Sequence, residues 1–472
     1  MTCAYPTAIM ATVILALAPL VAHASSDWAW DDWSYKQKNE LPDKPLSRAA
    51  KAVKDRPIAG GWTFSLGGSA QARFQKLDNR RDFNRDRNDE DASLLARERL
   101  NAEFKQGTLL RAFVEVQDAH EFWRDRLPGT NPNENALDLY QAYAELGLLN
   151  DIVDKPALIL KVGRQELVLG RRHLFSENDW LNLGQTFDLG RVTWRPDGFD
   201  IDAFAGWPIE QDHRNLDEFT SHDNIAGVNV KALGIPQRHT VEGLIAYKWN
   251  DKVNFRGERG IRDGVQLWTL SGRADGRFLK RWDYEIDTAL QTGERGEDNV
   301  WAWSGFAQVG YTFKMGWWRT LRLAAQYSRT SGDKDPRDGI SQTFDPLFGD
   351  QFRVHSKLLA AGNKNLESMA ARMTAKVWQG GSIEIDYHIY KLDHATDAFY
   401  QANGRALRRN TRGQGGREAG RELDFQATHA FNENLSISGG VFLFDPGRLF
   451  ARSGNRADDN ATSFFFMVRT NF

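Results

Sequence analysis

Apolar and polar residues alternate along most of this chain with a period of two, the spacing of a β-strand whose two faces meet different surroundings. Trp62, Phe64, Leu66, Ala70, Ala72 and Phe74 are apolar, while Thr63, Ser65, Ser69, Gln71, Arg73 and Gln75 between them are polar. The pattern returns in Leu94, Ala96, Leu100, Ala102 and Phe104 against Arg97, Arg99, Asn101, Glu103 and Lys105, with Glu98 the exception. It returns again in Leu110, Ala112, Val114 and Val116, in Trp282, Tyr284, Ile286 and Leu290, and in Ile383, Ile385, Tyr387 and Ile389. At the end of the chain Phe464, Phe466, Val468, Thr470 and Phe472 share one face, so the last strand finishes in an aromatic in register with its apolar row. Strands of this kind are half exposed to something apolar and half to something wet.

About 18 such segments of roughly 10 residues can be counted, the even number that a bacterial outer-membrane barrel requires. The connections between them fall into two classes. Short ones carry turn chemistry: Gln106-Gly107, Pro196-Asp197-Gly198, Gly234-Ile235-Pro236-Gln237, Gln379-Gly380-Gly381 and Asn432-Glu433-Asn434. The alternate ones are long and polar, around 76–92, 119–136, 170–185, 209–222, 250–263, 292–301, 331–364, 393–419 and 446–461. The expected fold is all-β, a transmembrane antiparallel β-barrel of about 18 strands with short periplasmic turns and long extracellular loops. A soluble sandwich has no reason to sort its loops this way.

The front of the chain is consistent with export. An apolar run from Ala8 to Ala22 leads into Ala22-His23-Ala24, a small-residue site that places cleavage after Ala24, although no Lys or Arg precedes the run. The expected division is a signal peptide over 1–24, a periplasmic N-terminal tail over 25–60 and the barrel over 61–472. The one cysteine, Cys3, lies in the leader, which argues against disulfides, thiolate metal sites and cysteine nucleophiles. No later run is long enough for a membrane helix, and the mean hydropathy of −0.56 looks soluble. Barrel strands nevertheless average to a hydrophilic score because every second residue faces the lumen. The 16 Trp, 28 Phe and 41 Gly suit aromatic girdles and glycine-bearing turns.

Three blocks carry a family resemblance. Gly163-Arg164-Gln165-Glu166-Leu167, with Gly170, Arg171-Arg172, Trp180, Thr186-Phe187-Asp188 and Arg191-Val192, resembles the central signature of the alginate-export outer-membrane family. Ser331 to Pro336 with Asp338-Gly339, and Thr343 to Phe348, resemble a second block, and Gly420 to Asp424 through Pro446-Gly447 a third. The resemblance covers the chain from about Trp62 to Phe472. It implies an 18-stranded barrel with a positively charged, anion-selective lumen passing a polyuronate, and a periplasmic export complex as a possible partner. The short periplasmic turns depart from the long gating loop expected of such an exporter.

Arginine outnumbers lysine in this chain, and its permanently charged planar fork matches carboxylates. Rings of such side chains select anions. Alternation puts Arg73, Arg97, Arg99, Arg111, Arg322 and Lys161 on the lumen face, and Arg191 and Arg195 oppose Val192 and Trp194. Arg164 has the other parity, so its inward placement rests on the family motif and needs a bulge nearby. Glu103, Glu115, Glu285, Asp287, Glu384 and Asp386 face the same space, so much of this charge is expected to form an ion-pair lattice along the wall. The expected function is an outer-membrane channel for carboxylate-bearing solutes, with a porin for small anionic or aromatic solutes as the alternative. The expected partners are outer-membrane lipid and an anionic polysaccharide or small carboxylates.

Asp333, Asp335 and Asp338 resemble half of a calcium loop, giving a candidate Ca²⁺ site in an extracellular loop, against a plain Asx turn. No other cofactor is expected. An enzyme would need Ser and His together on the lipid-facing wall, and His429 is the one candidate with that parity. Without a matching serine it reads as an interfacial residue, and no catalysis is expected. No glycine-rich phosphate loop precedes a helix and the formal net charge is −2, so nucleic-acid and nucleotide binding find no support.

Overall fold

Alternating faces and edge-to-edge pairing close the chain into an antiparallel barrel of 18 strands. The computed structural model describes residues 53–472 except 81–82, 87–89, 124–132, 151–155, 213–215, 221, 234, 236–238, 259, 317–318, 356–360 and 454–457. The expected signal peptide, the expected tail up to residue 52 and most of the turn at Gly234 to Gln237 lie outside the described residues. The barrel strands are β1 (Trp62–Asp78), β2 (Asp91–Gln106), β3 (Leu110–Phe122), β4 (Asn135–Asn150), β5 (Pro156–Gln165) and β6 (Phe187–Trp194). Next come β7 (Phe199–Glu210), β8 (Asp223–Ala232), β9 (Thr240–Arg256), β10 (Arg262–Phe278), β11 (Trp282–Arg295) and β12 (Asp298–Phe313). The last six are β13 (Thr320–Thr330), β14 (Leu366–Trp378), β15 (Gly381–Leu392), β16 (Glu418–Ala430), β17 (Leu435–Pro446) and β18 (Ala461–Asn471).

Each strand pairs with its sequence neighbours, and β18 pairs back with β1 from Ser69↔Asn471 to Asp78↔Thr462. Closure removes both sheet edges, which in a bilayer would otherwise leave unpaired N–H and C=O groups in hydrocarbon. The final residue completes the seam. The Phe472 N–H donates to the Gly68 carbonyl at 3.0 Å, and the Gly68 N–H donates to the Phe472 carbonyl at 3.1 Å. A Cβ on Gly68 would stand 2.7 Å from the Phe472 ring, so glycine makes room for the closing aromatic. Below that point β18 has ended, and Arg56–Pro57 pair with Thr63 and Phe64 in its place.

Outward positions are apolar and exposed, as lipid-facing residues are. Trp194, Phe199, Trp282, Phe313 and Trp378 lie at the strand ends that carry the short turns, and Phe122, Trp207 and Trp301 lie toward the other end. Two aromatic belts flanking an apolar band are the mark of a membrane-spanning barrel. Inward positions are polar over much of the wall but not all of it. Phe204, Ile225, Leu244, Val265, Leu267 and Val300 face inward and are covered by Leu174, Phe175 and Phe344 from two loops. A second apolar cluster joins Phe83, Phe399, Leu449 and Phe450 of other loops to Phe442, Phe444 and Phe465 of β17 and β18. The expectation of a polar lumen face is thus corrected where inward-folded loops cover the wall.

Two of the expected long loops are also corrected. Between β9 and β10 only residues 257–261 intervene, and between β11 and β12 only Gly296 and Glu297. The stretches 250–263 and 292–301 are largely strand, continued past a register shift between Asn250 and Phe255. Beyond the bilayer both faces of a strand meet water, so alternation fades while pairing persists. The other long connections stand, and at the opposite end the longest runs only from 233 to 239.

Candidate functional site

The loop between β5 and β6, residues 166–186, crosses the lumen. Early in it the Gly170 N–H donates to Glu242 (3.2 Å), Arg171 meets Asp275 (3.1 Å) and His173 meets Glu285 (3.0 Å). Those partners belong to β9, β10 and β11. Later the Asp179 carboxylate meets Arg97 (2.7 Å) and Arg469 (2.8 Å), with Arg99 at 3.8 Å. The Trp180 carbonyl accepts from Arg73 (2.7 Å), and the Leu183 carbonyl accepts from Gln117 (3.0 Å). These partners belong to β18 and β1–β3, half a circumference away from β10.

A second loop, residues 331–365, seals against the first. Ser176 N–H donates to the Phe348 carbonyl (3.0 Å), Phe348 N–H to the Leu174 carbonyl (3.0 Å) and Asp350 N–H to the Arg172 carbonyl (2.8 Å). Asp350 caps a one-turn helix, α1 (Gln351–Val354), by accepting from the Phe352 N–H, and Arg353 of that turn reaches Glu285 at 3.1 Å. The two loops bring Phe175, Phe187 and Phe348 into ring contact.

Arg97, Arg469 and, at 3.8 Å, Arg99 therefore gather on one loop carboxylate, while Arg73 holds the carbonyl of the next residue, Trp180. Arg97 is only 3% exposed and Arg73 4%. Burying guanidinium groups is costly unless they are paired and hydrogen-bonded. Here part of the compensation is aromatic: Arg73 stands 4.1 Å over the Trp180 ring and Arg99 3.6 Å over the Tyr140 ring. The Tyr140 hydroxyl in turn donates to Glu166 (2.8 Å). Burial pushes the Asp179 carboxyl up, but Arg97, Arg469 and Arg99 together hold it below its ordinary value, so it stays charged. The local charge is cationic: Arg97 and Arg469 meet Asp179 directly, Arg99 stands 3.8 Å from both Asp179 and Glu166, and Arg73 donates to a carbonyl alone.

The remaining expected residues are tied elsewhere. Arg111 lies between Glu103 (2.6 Å) and Glu145 (3.1 Å), and Lys161 meets Glu145 (3.4 Å) and the Tyr143 ring (3.6 Å). Arg191 meets Asp202 (2.9 Å), and Arg322 meets Asp283 (2.6 Å). These pairs form the wall lattice. Arg195 sits at the periplasmic rim beside Asp200 (3.4 Å), outside the constriction.

Arg164 is a correction. Its register partners Ala142 and Asp188, and Trp207 beyond them, share a face with Val162, which is 65% exposed to the lipid side. Gly163 takes φ +122°, yet the parity of the strand persists through it. Arg164 is held outside the lumen by Asp188 (3.0 Å) and by the carbonyls of Leu139 (3.0 Å) and Asp217 (2.9 Å). Its role is to pin the outer rim.

The aspartates of the candidate calcium loop make local hydrogen bonds. The Asp335 N–H donates to Asp333 (3.2 Å) and the Ile340 N–H to Asp338 (2.9 Å), so the aspartates serve as turn acceptors. Among the described residues no three His, Cys, Asp or Glu side chains gather as a metal site. His429 accepts from Trp378 Nε1 (2.9 Å) at the periplasmic aromatic belt. Arg469 was available from alternation, since it stands between Val468 and Thr470 of the outward row, but only the position of Asp179 marks it out.

The family model described as Alginate export matches residues 63–464. The chain belongs to the alginate export family. It is an outer-membrane protein of bacteria, as that family and the barrel imply. No curated protein matches it. Among solved structures, Acinetobacter baumannii OccAB4 is 11% identical with a TM-score of 0.56, covering 87% of this chain and 98% of its own. Pseudomonas aeruginosa OccK9 (OpdG) is 14% identical with a TM-score of 0.56, again over 87% and 98%. Pseudomonas aeruginosa OpdK, solved with vanillate, is 12% identical with a TM-score of 0.53 over 86% and 98%. At these identities the likeness is one of fold. This alginate-export chain shares the barrel of those proteins, and its own residues must supply the argument for what it passes.

Proposed function

We propose that this member of the alginate export family is an anion-selective channel for carboxylate-bearing solutes, acting without covalent chemistry. The gathering of Arg97, Arg99 and Arg469 on Asp179, with Arg73 on the adjoining Trp180 carbonyl, carries the reading. A solute carboxylate that reaches the cluster replaces Asp179, which bridges Arg97 and Arg469, as the partner of one arginine while the others keep the field positive. Exchange between several weak sites of like chemistry lets an anion enter without being trapped. His429 has Trp378 rather than a serine as its partner, which supports a channel over a hydrolase.

A second reading, small anionic or aromatic solutes rather than a polyuronate, is favoured by one observation. The connections at the periplasmic end are short, the longest running only from 233 to 239, which offers no long loop to gate a polymer. Single-channel recording in planar bilayers with added oligouronates or a small aromatic acid separates the two. Block by the oligouronates supports polymer passage, and block by the aromatic acid alone supports the second reading. A channel with no preference for anions overturns both.

A further inference from the structure

The outward wall of β12–β15 is not smooth. Ala307, Ala325 and Ala371 stand where neighbouring positions carry Tyr327, Met369 and Tyr387, and the result is a lipid-facing hollow of about 630 Å³. The three large side chains are 39%, 46% and 40% exposed, so they bank the hollow without filling it. Register fixes what lies next to it. Tyr327 pairs with Met369, Met369 with Ile389 and Ile389 with Arg421, and the following row toward the extracellular end is Arg329, Glu367, Lys391 and Glu418.

Most charges of that rim are already satisfied. Arg329 pairs with Asp393 (2.6 Å), Arg417 with Glu367 (2.8 Å) and Arg448 with Glu418 (3.4 Å). Glu367 also accepts weakly from the Tyr327 hydroxyl (3.4 Å). Lys391 and Arg421 are exposed on the same outward face and have no hydrogen-bond or ion-pair partner among the described residues. Asp445 stands opposite Arg421 in the β16–β17 register but makes no ion pair with it. Two unpaired cations directly above an apolar hollow, on the membrane side of the wall, complement a ligand with an anionic head and an acyl tail.

We propose that this face is a docking site for a phosphate-bearing, multiply acylated lipid of the outer leaflet. Lys391 and Arg421 take the phosphate, and one acyl chain lies in the hollow over Ala307, Ala325 and Ala371. The site lies outside the lumen, so it is independent of what the channel conducts. The full-length barrel in detergent, titrated with lipid A and observed intact by native mass spectrometry, is expected to retain one lipid. Lys391→Gln with Arg421→Gln should lower that retention about tenfold, and so should filling the hollow by Ala325→Leu with Ala371→Leu. Ion conductance should be unchanged in both, which also shows that the variants fold. Equal retention by wild type and both variants, or equal retention of lipid A stripped of its phosphates, overturns the proposal.

Discussion

Asp179 and Arg97 are 82 residues apart in the chain and 2.7 Å apart in space. One belongs to a loop and the other to a strand of the wall, so the contact fixes where the loop crosses the lumen. It also means that the arginine cluster already holds a carboxylate of its own. The acid is both a tether and a competitor for whatever anion arrives.

Asp179→Asn removes that competitor while preserving its shape. Anion selectivity, read as the reversal potential under a salt gradient, is expected to rise. The loop over 166–186 is expected to exchange its amide hydrogens faster, because Arg97 and Arg469 lose their charged partner. A fall in anion selectivity would mean that Asp179 does not oppose the arginines in the conducting path.

Arg164→Gln should leave selectivity where it is. The side chain lies outside the lumen and binds Asp188, the β4 carbonyl of Leu139 and the loop carbonyl of Asp217, so its loss is structural. Hydrogen bonds to a charged group contribute about 1.5–3 kcal/mol, and the denaturant midpoint of the refolded barrel in vesicles should drop accordingly. A change in reversal potential with no change in midpoint would return Arg164 to the pore.

Gly163 combines φ +122° with a position whose Cβ would stand 2.3 Å from the Ala142 carbonyl oxygen. Gly163→Ala is therefore expected to destabilise the barrel by about 1–3 kcal/mol, through the β4–β5 pairing. The same denaturant titration checks it, and a midpoint equal to wild type would show that the strand relaxes at no cost.

The extracellular loops carry a pH dependence of their own. Burial lifts the Asp333 carboxyl to about 8, with the hydrogen bond and charge of Glu258 and the charge of Asp397 adding to it. Glu258 is raised too, first by burial and then by Asp298 and Asp338. A carboxyl whose folded value is raised holds its proton more tightly when folded. Its stabilisation is complete below the ordinary value of 3.8 and is lost as pH rises through about 8. Amides over 331–347 should therefore be better protected near pH 5 than near pH 9, roughly the span of that loss. Asp333→Asn should flatten the difference. Protection that rises with pH would contradict a raised Asp333 carboxyl.

The membrane-spanning wall was legible because lipid and lumen impose opposite chemistry on adjacent residues. Phe74 and Phe466 fall on the outward face by alternation alone, and they pair across the seam. Alternation was silent wherever one environment bounds both faces, which is why the ends of β9–β12 read as loops. It misled where loops fold inward, since Leu244 and Leu267 face the lumen side yet are dry beneath Leu174 and Phe344. The arginines of the constriction were legible one by one. Their grouping was not, because Arg97 and Arg469 meet only through Asp179 and Arg73 only through Trp180, and a loop crossing has no period to read.

The measurement that bears most directly on the constriction is the reversal potential of single channels in a planar bilayer under a salt gradient, comparing wild type with Arg97→Gln combined with Arg469→Gln. Wild type should prefer anions, and the double variant should lose most of that preference while still conducting. Unchanged anion preference in the double variant, or cation preference in wild type, would contradict the role assigned to this cluster.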